Sequence, residues 1–228
     1  MIWRDIIDIV YPQTCCSCGV ALNRSEQVIC LTCIHTLPKS NWHHQSENPL
    51  VRLFWGRLPV YSAAAFYLFR KGGNIQRMLH QLKYKNRPEI GERIGALYAT
   101  ELQESESFAS VGKIIPVPLH PLKLKKRGYN QAESFADGLA QKLSAEVVSN
   151  NLVRVENTET QTKKSRYARW ENVSTVFNLI NPNQLENEHV LLVDDVITTG
   201  STIESCARLL FENGISKVSI AAIAMPAQ

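Results

Sequence analysis

Continuous apolar runs alternate along this chain with stretches in which apolar residues recur every three or four positions, the rhythm of buried strands joined by amphipathic helices. The run 60–69 reads as a strand, and Lys71-Gly72-Gly73 turns it into a helix with Ile75, Met78, Leu79 and Leu82 on one face. A second helix follows Pro88, with Ile90, Ile94, Leu97 and Tyr98 in phase. Residues 114–119 predict another buried strand, its prolines near the exit because proline cannot donate to a central ladder. A helix with Phe135, Leu139 and Leu143 inward comes next, and 152–155 reads as a short strand. Residues 190–193 are apolar and β-prone in succession, as in a central strand covered on both faces. Ile203, Cys206, Ala207 and Leu210 then mark one face of a helix that ends before Asn213-Gly214, and 217–224 supplies a further strand. The expected fold is α/β, a mainly parallel central sheet flanked by helices, with ligands at the carboxyl ends of the strands.

The strand at 190–193 delivers Asp194 and Asp195 onto a loop of small residues, Thr198-Thr199-Gly200-Ser201-Thr202, that opens the next helix. Unpaired N–H groups at a helix start carry roughly half a positive charge, and the Thr and Ser hydroxyls add donors. Gly200 allows close backbone approach. A phosphate fits such a loop, while adjacent carboxylates that are buried need hydroxyl donors, cations or water. A ribose diol supplies those donors, so the segment reads as a sugar-phosphate site. A plain capped helix after a core strand is the alternative, with Asp195 or a Thr as its N-cap. A nucleotide P-loop fits less well still, because no lysine lies in the loop.

Four cysteines form Cys15-x-x-Cys18 and Cys30-x-x-Cys33, the spacing of two knuckles around a tetrahedral thiolate metal, and Gly19 stands where a knuckle tolerates positive φ. A structural zinc is expected, with metal-free thiols as the alternative; four thiolates would leave no open position for catalysis. Cys16 is a free thiol or an alternative ligand, His35, His43 and His44 could replace a thiolate, and Cys206 reads as a core residue. So small a module would depend on metal, whose apparent binding energy in zinc-finger peptides is about 10–16 kcal/mol. Residues 34–50 read as a connector. The expected division is therefore 1–50 for an N-terminal helix, the cysteine module and the connector, and 51–228 for the α/β domain.

Composition adds little against this picture. Of 228 residues, 44% are hydrophobic and 20% charged, ordinary values for a globular chain, and a net charge of +4 does not by itself mark a nucleic-acid binder. The N-terminal segment has apolar residues at 2, 3, 6, 7, 9 and 10, which suits a short helix docked on its own protein. Charge interrupts it too often for a signal-peptide core or a membrane span, and it lacks the basic face of a membrane-surface helix. No stable membrane insertion and a cytoplasmic location are expected.

Charge is concentrated locally in two basic stretches, 120–131 and 157–172. The second has weak periodicity and reads as a functional loop. A diphosphate on the anomeric carbon of a bound sugar needs cations, and guanidinium groups give bidentate, always-charged donors. Arg127 and Arg166 lead, ahead of Lys123, Lys125, Lys126, Lys163, Lys164 and Arg169. His120 orients diphosphate or a metal-bound water, or is a structural strand-end histidine.

The segment 194–202 resembles the phosphoribosyl diphosphate (PRPP) fingerprint of type I phosphoribosyltransferases. The order of the cysteine module, Leu82-Lys83-Tyr84, Pro116-Val117-Pro118-Leu119-His120, Arg127-Gly128-Tyr129-Asn130-Gln131, Arg166 with Asn172 and Phe177, and that loop resembles the ComF/GntX family over nearly the whole chain. The resemblance implies a type I phosphoribosyltransferase fold with a zinc-ribbon-like appendage, and for some members a role in DNA uptake during natural competence. It implies that Asp194 and Asp195 hold the ribose hydroxyls and 198–202 the 5′-phosphate, with Mg2+ accompanying PRPP. Two functions follow as expectations. One is phosphoribosyl transfer to an unidentified acceptor, for which no general base stands out. The other is a non-catalytic PRPP sensor whose basic loops, with Tyr129, Tyr167 and Trp170, bind single-stranded DNA or a competence partner.

Overall fold

The computed structural model describes residues 12–155 and 176–227. The expected N-terminal helix and the loop at 157–172, with Lys163, Lys164, Arg166, Tyr167, Arg169 and Trp170, lie outside those residues. Seven strands are described: β1 (Ser62–Phe69), β2 (Lys113–Pro116), β3 (Glu146–Val147), β4 (Leu152–Arg154), β5 (Phe177–Leu179), β6 (His189–Val196) and β7 (Lys217–Pro226). Five of them make one parallel sheet in the order β1-β7-β6-β2-β3, as the apolar runs predict. Val190, Leu191, Leu192 and Val193 are fully buried, which accounts for a run with no polar alternation. The strand expected near 152 forms, but it pairs outside this sheet, antiparallel with β5.

The path of the chain locates the site. From the β1 edge it crosses to β2, moves outward to β3, then returns to lay β6 against β2 and β7 against β1. Its direction of travel thus reverses between β2 and β6, and a crevice opens where their carboxyl ends lead to different loops. Pro116 lies opposite Val193, and one more bond, Val117 N–H to Val193 O at 2.8 Å, closes the ladder. The strand expected over 114–119 stops there because Pro118 has no N–H to give. Beyond this point β6 carries Asp194 and Asp195, and β2 leads into His120 and the basic stretch.

The helices are α1 (Leu31–Thr36), α2 (Pro49–Arg52), α3 (Asn74–Tyr84), α4 (Pro88–Leu102), α5 (Glu106–Ala109), α6 (Pro121–Arg127), α7 (Gln131–Leu143) and α8 (Ser201–Glu212). The apolar residues expected to face inward on α3, α4 and α8 are buried, including Ile75, Met78, Leu82, Ile94, Tyr98, Ile203 and Cys206, except Leu97, which is half-buried. Helices α4 and α7 pack so closely that a Cβ on Gly95 would overlap the backbone of Phe135, and one on Gly138 the backbone of Glu92. Glycine is required there for approach, not for conformation.

The stretch 34–50 is packed rather than extended. Leu37, Trp42 and Leu50 are buried, and the buried Asn48 amide donates to the carbonyls of Trp42, Gln45 and Ala63 while its Oδ1 caps α2. Cys15, Cys16, Ile29, Cys30 and Cys33 belong to the same continuous apolar core as the sheet. Sequence reading separated these regions because loops and small modules carry no periodicity to announce their docking.

Candidate functional site

At the carboxyl end of β6, Asp195 is buried and Asp194 partly so. Asp194 Oδ1 accepts from the Asp195 N–H at 2.7 Å, and Asp195 Oδ1 lies 3.1 Å from Lys83 Nζ. Burial, and then the neighbouring Asp195 charge, push the Asp194 carboxyl far above the usual carboxylate range; the Asp195 N–H, Lys83 and Arg127 oppose the rise without cancelling it. The pair therefore lacks positive charge, and a divalent cation or hydroxyl donors would relieve it.

After the acids the chain turns through Ile197 and the exposed Thr198 and Thr199 to Gly200, then enters α8 at Ser201. Residues 194 and 196–203 line a shallow cleft of about 50 Å³. The first-turn N–H groups of α8 have no partners within the helix, and no side-chain hydrogen bond caps them; Thr199 Oγ1 and Ser201 Oγ are 3.2 Å apart. Gly200 has φ +76, and a Cβ there would strike Leu53 and crowd Phe54. Its smallness serves packing against these apolar side chains, a reason the loop sequence alone did not disclose. The one acid in the first turn of α8, Glu204, is held by Arg57 at 2.5 Å and Arg208 at 3.1 Å, so its charge is offset beside the helix start.

Arg127, after Lys83, opposes by its charge the rise of the Asp194 carboxyl. It bonds Gln131 Oε1 at 2.5 Å and lies 5.5 Å over the Tyr84 ring. The rest of Arg127-Gly128-Tyr129-Asn130-Gln131 is architectural. Gly128, at φ +83, ends α6; the Tyr129 hydroxyl donates to Leu82 O; Asn130 caps α7 and donates to Val117 O at 3.0 Å. His120 Nδ1 accepts from Leu122 N–H at 3.2 Å as the cap of α6. That helix buries none of its residues and exposes Lys123, Lys125 and Lys126, so no apolar periodicity could foretell it. Lys83 is the site residue that sequence reading did not single out. Its motif was visible, but its partner Asp195 comes from a distant strand.

The Sγ atoms of Cys15, Cys18, Cys30 and Cys33 all lie within 4.8 Å of one another, with Cys18 and Cys30 at 3.7 Å. A tetrahedral zinc with Zn–S near ~2.3 Å sets its sulfurs ~3.8 Å apart, so this donor set fits zinc. Backbone N–H groups of Ser17 and Cys30 point at Cys15 Sγ, and that of Cys33 at Cys30 Sγ. Burial raises the Cys15 thiol, but the N–H groups of Cys30, Cys18 and Ser17 outweigh it and bring it down to about 6. Gly19 has the expected positive φ of 83°. Cys16 lies outside the cluster; burial and Cys15 push it up to about 12. His43 is buried against Tyr98, with Glu101 at 3.8 Å, and neither it, His35 nor His44 joins the thiols.

Residues 130–228 match the phosphoribosyl transferase domain family. The chain is 34% identical over 149 residues to the DNA utilization protein YhgH of Salmonella typhi, covering 64% of this chain and 65% of that relative, just under two thirds. It is 31% identical over 147 residues to competence protein F of Haemophilus influenzae, covering 63% and 64% of the two chains. Among solved structures, the glutamine PRPP amidotransferase from B. subtilis complexed with ADP and GMP matches 63% of this chain and 30% of its own, at 19% identity and a TM-score of 0.45.

Proposed function

We propose that the chain belongs to the ComF family, with the type I phosphoribosyltransferase fold, and that it binds PRPP at Asp194–Thr202 and serves DNA uptake. The observation that carries this reading is the juxtaposition of a charge-deficient acid pair and a hydroxyl-rich helix start at the β2/β6 crevice. Asp194 and Asp195 hold the ribose diol, Thr198, Thr199, Gly200, Ser201 and Thr202 hold the 5′-phosphate, and Arg127 meets the diphosphate. Arg166 is proposed for the same group from its place in the sequence. Mg2+ suits the acid pair because its carboxylates lack compensating charge; when bound it would screen the diphosphate charge. Arg127 fixes that group's orientation from the protein side, and the acids hold the ribose so that a nucleophile can approach the anomeric carbon. The acceptor would enter from the open side of the crevice.

Titration calorimetry with PRPP and Mg2+ tests the site. Wild type should bind, and D194N/D195N should lose at least about tenfold in affinity, since hydrogen bonds to charged groups contribute about 1.5–3 kcal/mol each. Unchanged affinity in the double variant would refute the assignment. Diphosphate release with candidate acceptors then separates a transferase from a PRPP sensor.

A direct role on single-stranded DNA is favoured by one observation: α6 presents Lys123, Lys125 and Lys126 to solvent. Phosphate contacts of this kind make binding strongly salt-dependent. Replacing the three lysines by alanine should weaken binding to an oligonucleotide and flatten its salt dependence. Binding that ignores both salt and these substitutions would remove DNA from the account.

A further inference from the structure

Helix α3 touches the cysteine cluster along one side and the acid pair at its end. Arg77 and Gln81 lie one turn apart on it. Arg77 Nη1 donates to Cys18 O at 2.9 Å, and Gln81 Nε2 to Cys16 O at 2.9 Å. Arg87 Nη1 donates to Gln81 Oε1 at 2.8 Å, which fixes which way the Gln81 amide points, and Arg87 is itself held by Glu89 at 2.7 Å. Both carbonyls therefore belong to the first cysteine knuckle. Two residues beyond Gln81, Lys83 reaches Asp195 at 3.1 Å, and the hydroxyl of Tyr129 takes the carbonyl of Leu82.

We propose that Lys83 binds the ligand's anionic group and that the metal knuckle positions it, with Arg77 and Gln81 as the positioning residues. A metal on Cys15, Cys18, Cys30 and Cys33 fixes the backbone of 15–18, and with it the two carbonyls that α3 grips. The helix is a rigid link of few turns, so the grip at one end sets the ammonium at the other. Lys83 rests on Asp195 in the absence of ligand. A lysine is a compact charge on a flexible stem, so it can transfer to an arriving phosphate and free Asp195 for hydroxyl donors. The proposal rests on the PRPP reading for the identity of the ligand, but the link between metal and Lys83 is a property of the protein itself. Coupling between two sites is reciprocal: if metal tightens ligand binding, ligand must tighten metal binding by the same free energy.

The test uses the zinc-loaded full chain, wild type and R77A/Q81A, with zinc content measured in both. The first readout needs no ligand: the acylation rate of Lys83 by an amine-reactive ester, followed by mass spectrometry and referred to Lys113, which Glu146 holds at 2.6 Å. Chelation of the metal, or R77A/Q81A with zinc retained, should raise the Lys83 rate several-fold. The second readout is PRPP affinity with Mg2+, expected to fall about tenfold in R77A/Q81A, within the range usual for coupled sites. R77K, which keeps a donor at that position, should recover part of it. K83M should lose about tenfold or more without losing zinc. The third is the share of zinc that a colorimetric chelator takes at equilibrium, lowered by PRPP in wild type and unaffected by it in R77A/Q81A. Lys83 labelling indifferent to both metal and R77A/Q81A overturns the proposal, whatever PRPP does. Wild type that fails to bind PRPP while Lys83 labelling follows the metal overturns the PRPP reading and leaves the metal link standing.

Discussion

Asp194 is where the electrostatics of the site are most exposed to measurement. Burial and Asp195 raise its pKa to about 8 in the folded protein, above an unfolded value of about 4. The stability tied to its proton is thus full below about pH 4 and is lost as pH rises through about 8. D194N removes that loss. In ligand-free protein, the stability of D194N relative to wild type should increase by about 1 kcal/mol or more between pH 5 and pH 8, read from urea denaturation. A difference that stays flat would mean that the two acids do not share one poorly compensated site. Other titrating groups, such as His189, whose pKa burial and Lys217 lower to about 4, cancel in this comparison. At this scale the sequence made the acids, the hydroxyl loop and Arg127 legible, because each stands in a short motif with chemistry of its own. Lys83 and the pair Leu53 and Phe54 against Gly200 were not legible, since each depends on a partner brought by the fold.

Among the elements, the closest packing lies between α4 and α7. Alanine is a better helix former than glycine by about 1 kcal/mol. Yet Gly138 meets the backbone of Glu92, which cannot yield as a side-chain tip can. Overpacking a core costs about 1–3 kcal/mol, so it should win, and G138A should lower the denaturation free energy. A stabilised variant would show that the helix pair separates easily. Periodicity made α3, α4, α7 and α8 legible because each buries a face, though α5 is too short to show a period, and the prolines near 116 foretold the exit of β2. It missed α6, which buries nothing, and the packed course of 34–50, whose anchor is the hydrogen bonding of a single buried Asn48.

Over the whole molecule, the cysteine cluster and the sheet share one core. The sequence marked the ligands by spacing but not this continuity, which depends on residues such as Trp42 and Leu50 that follow no repeat. Metal analysis should find about one zinc per chain. C18S or C33S should lose it and destabilise the molecule by several kcal/mol in one cooperative calorimetric transition, because metal energy here is folding energy. A separate low-temperature transition, with the main one unchanged, would restore an independent module. Among the described residues no helix is long and apolar enough to cross a membrane.

The central claim is that the loop after β6 grips the phosphate of PRPP. Amide hydrogen exchange measured with and without PRPP and Mg2+ tests it at the atoms concerned. Binding through the start of α8 should slow exchange at the amides of Thr199, Gly200, Ser201 and Thr202 in wild type, and D194N/D195N should show little protection at the same ligand concentration. Saturating PRPP that leaves those amides exchanging as in the free protein would contradict the account.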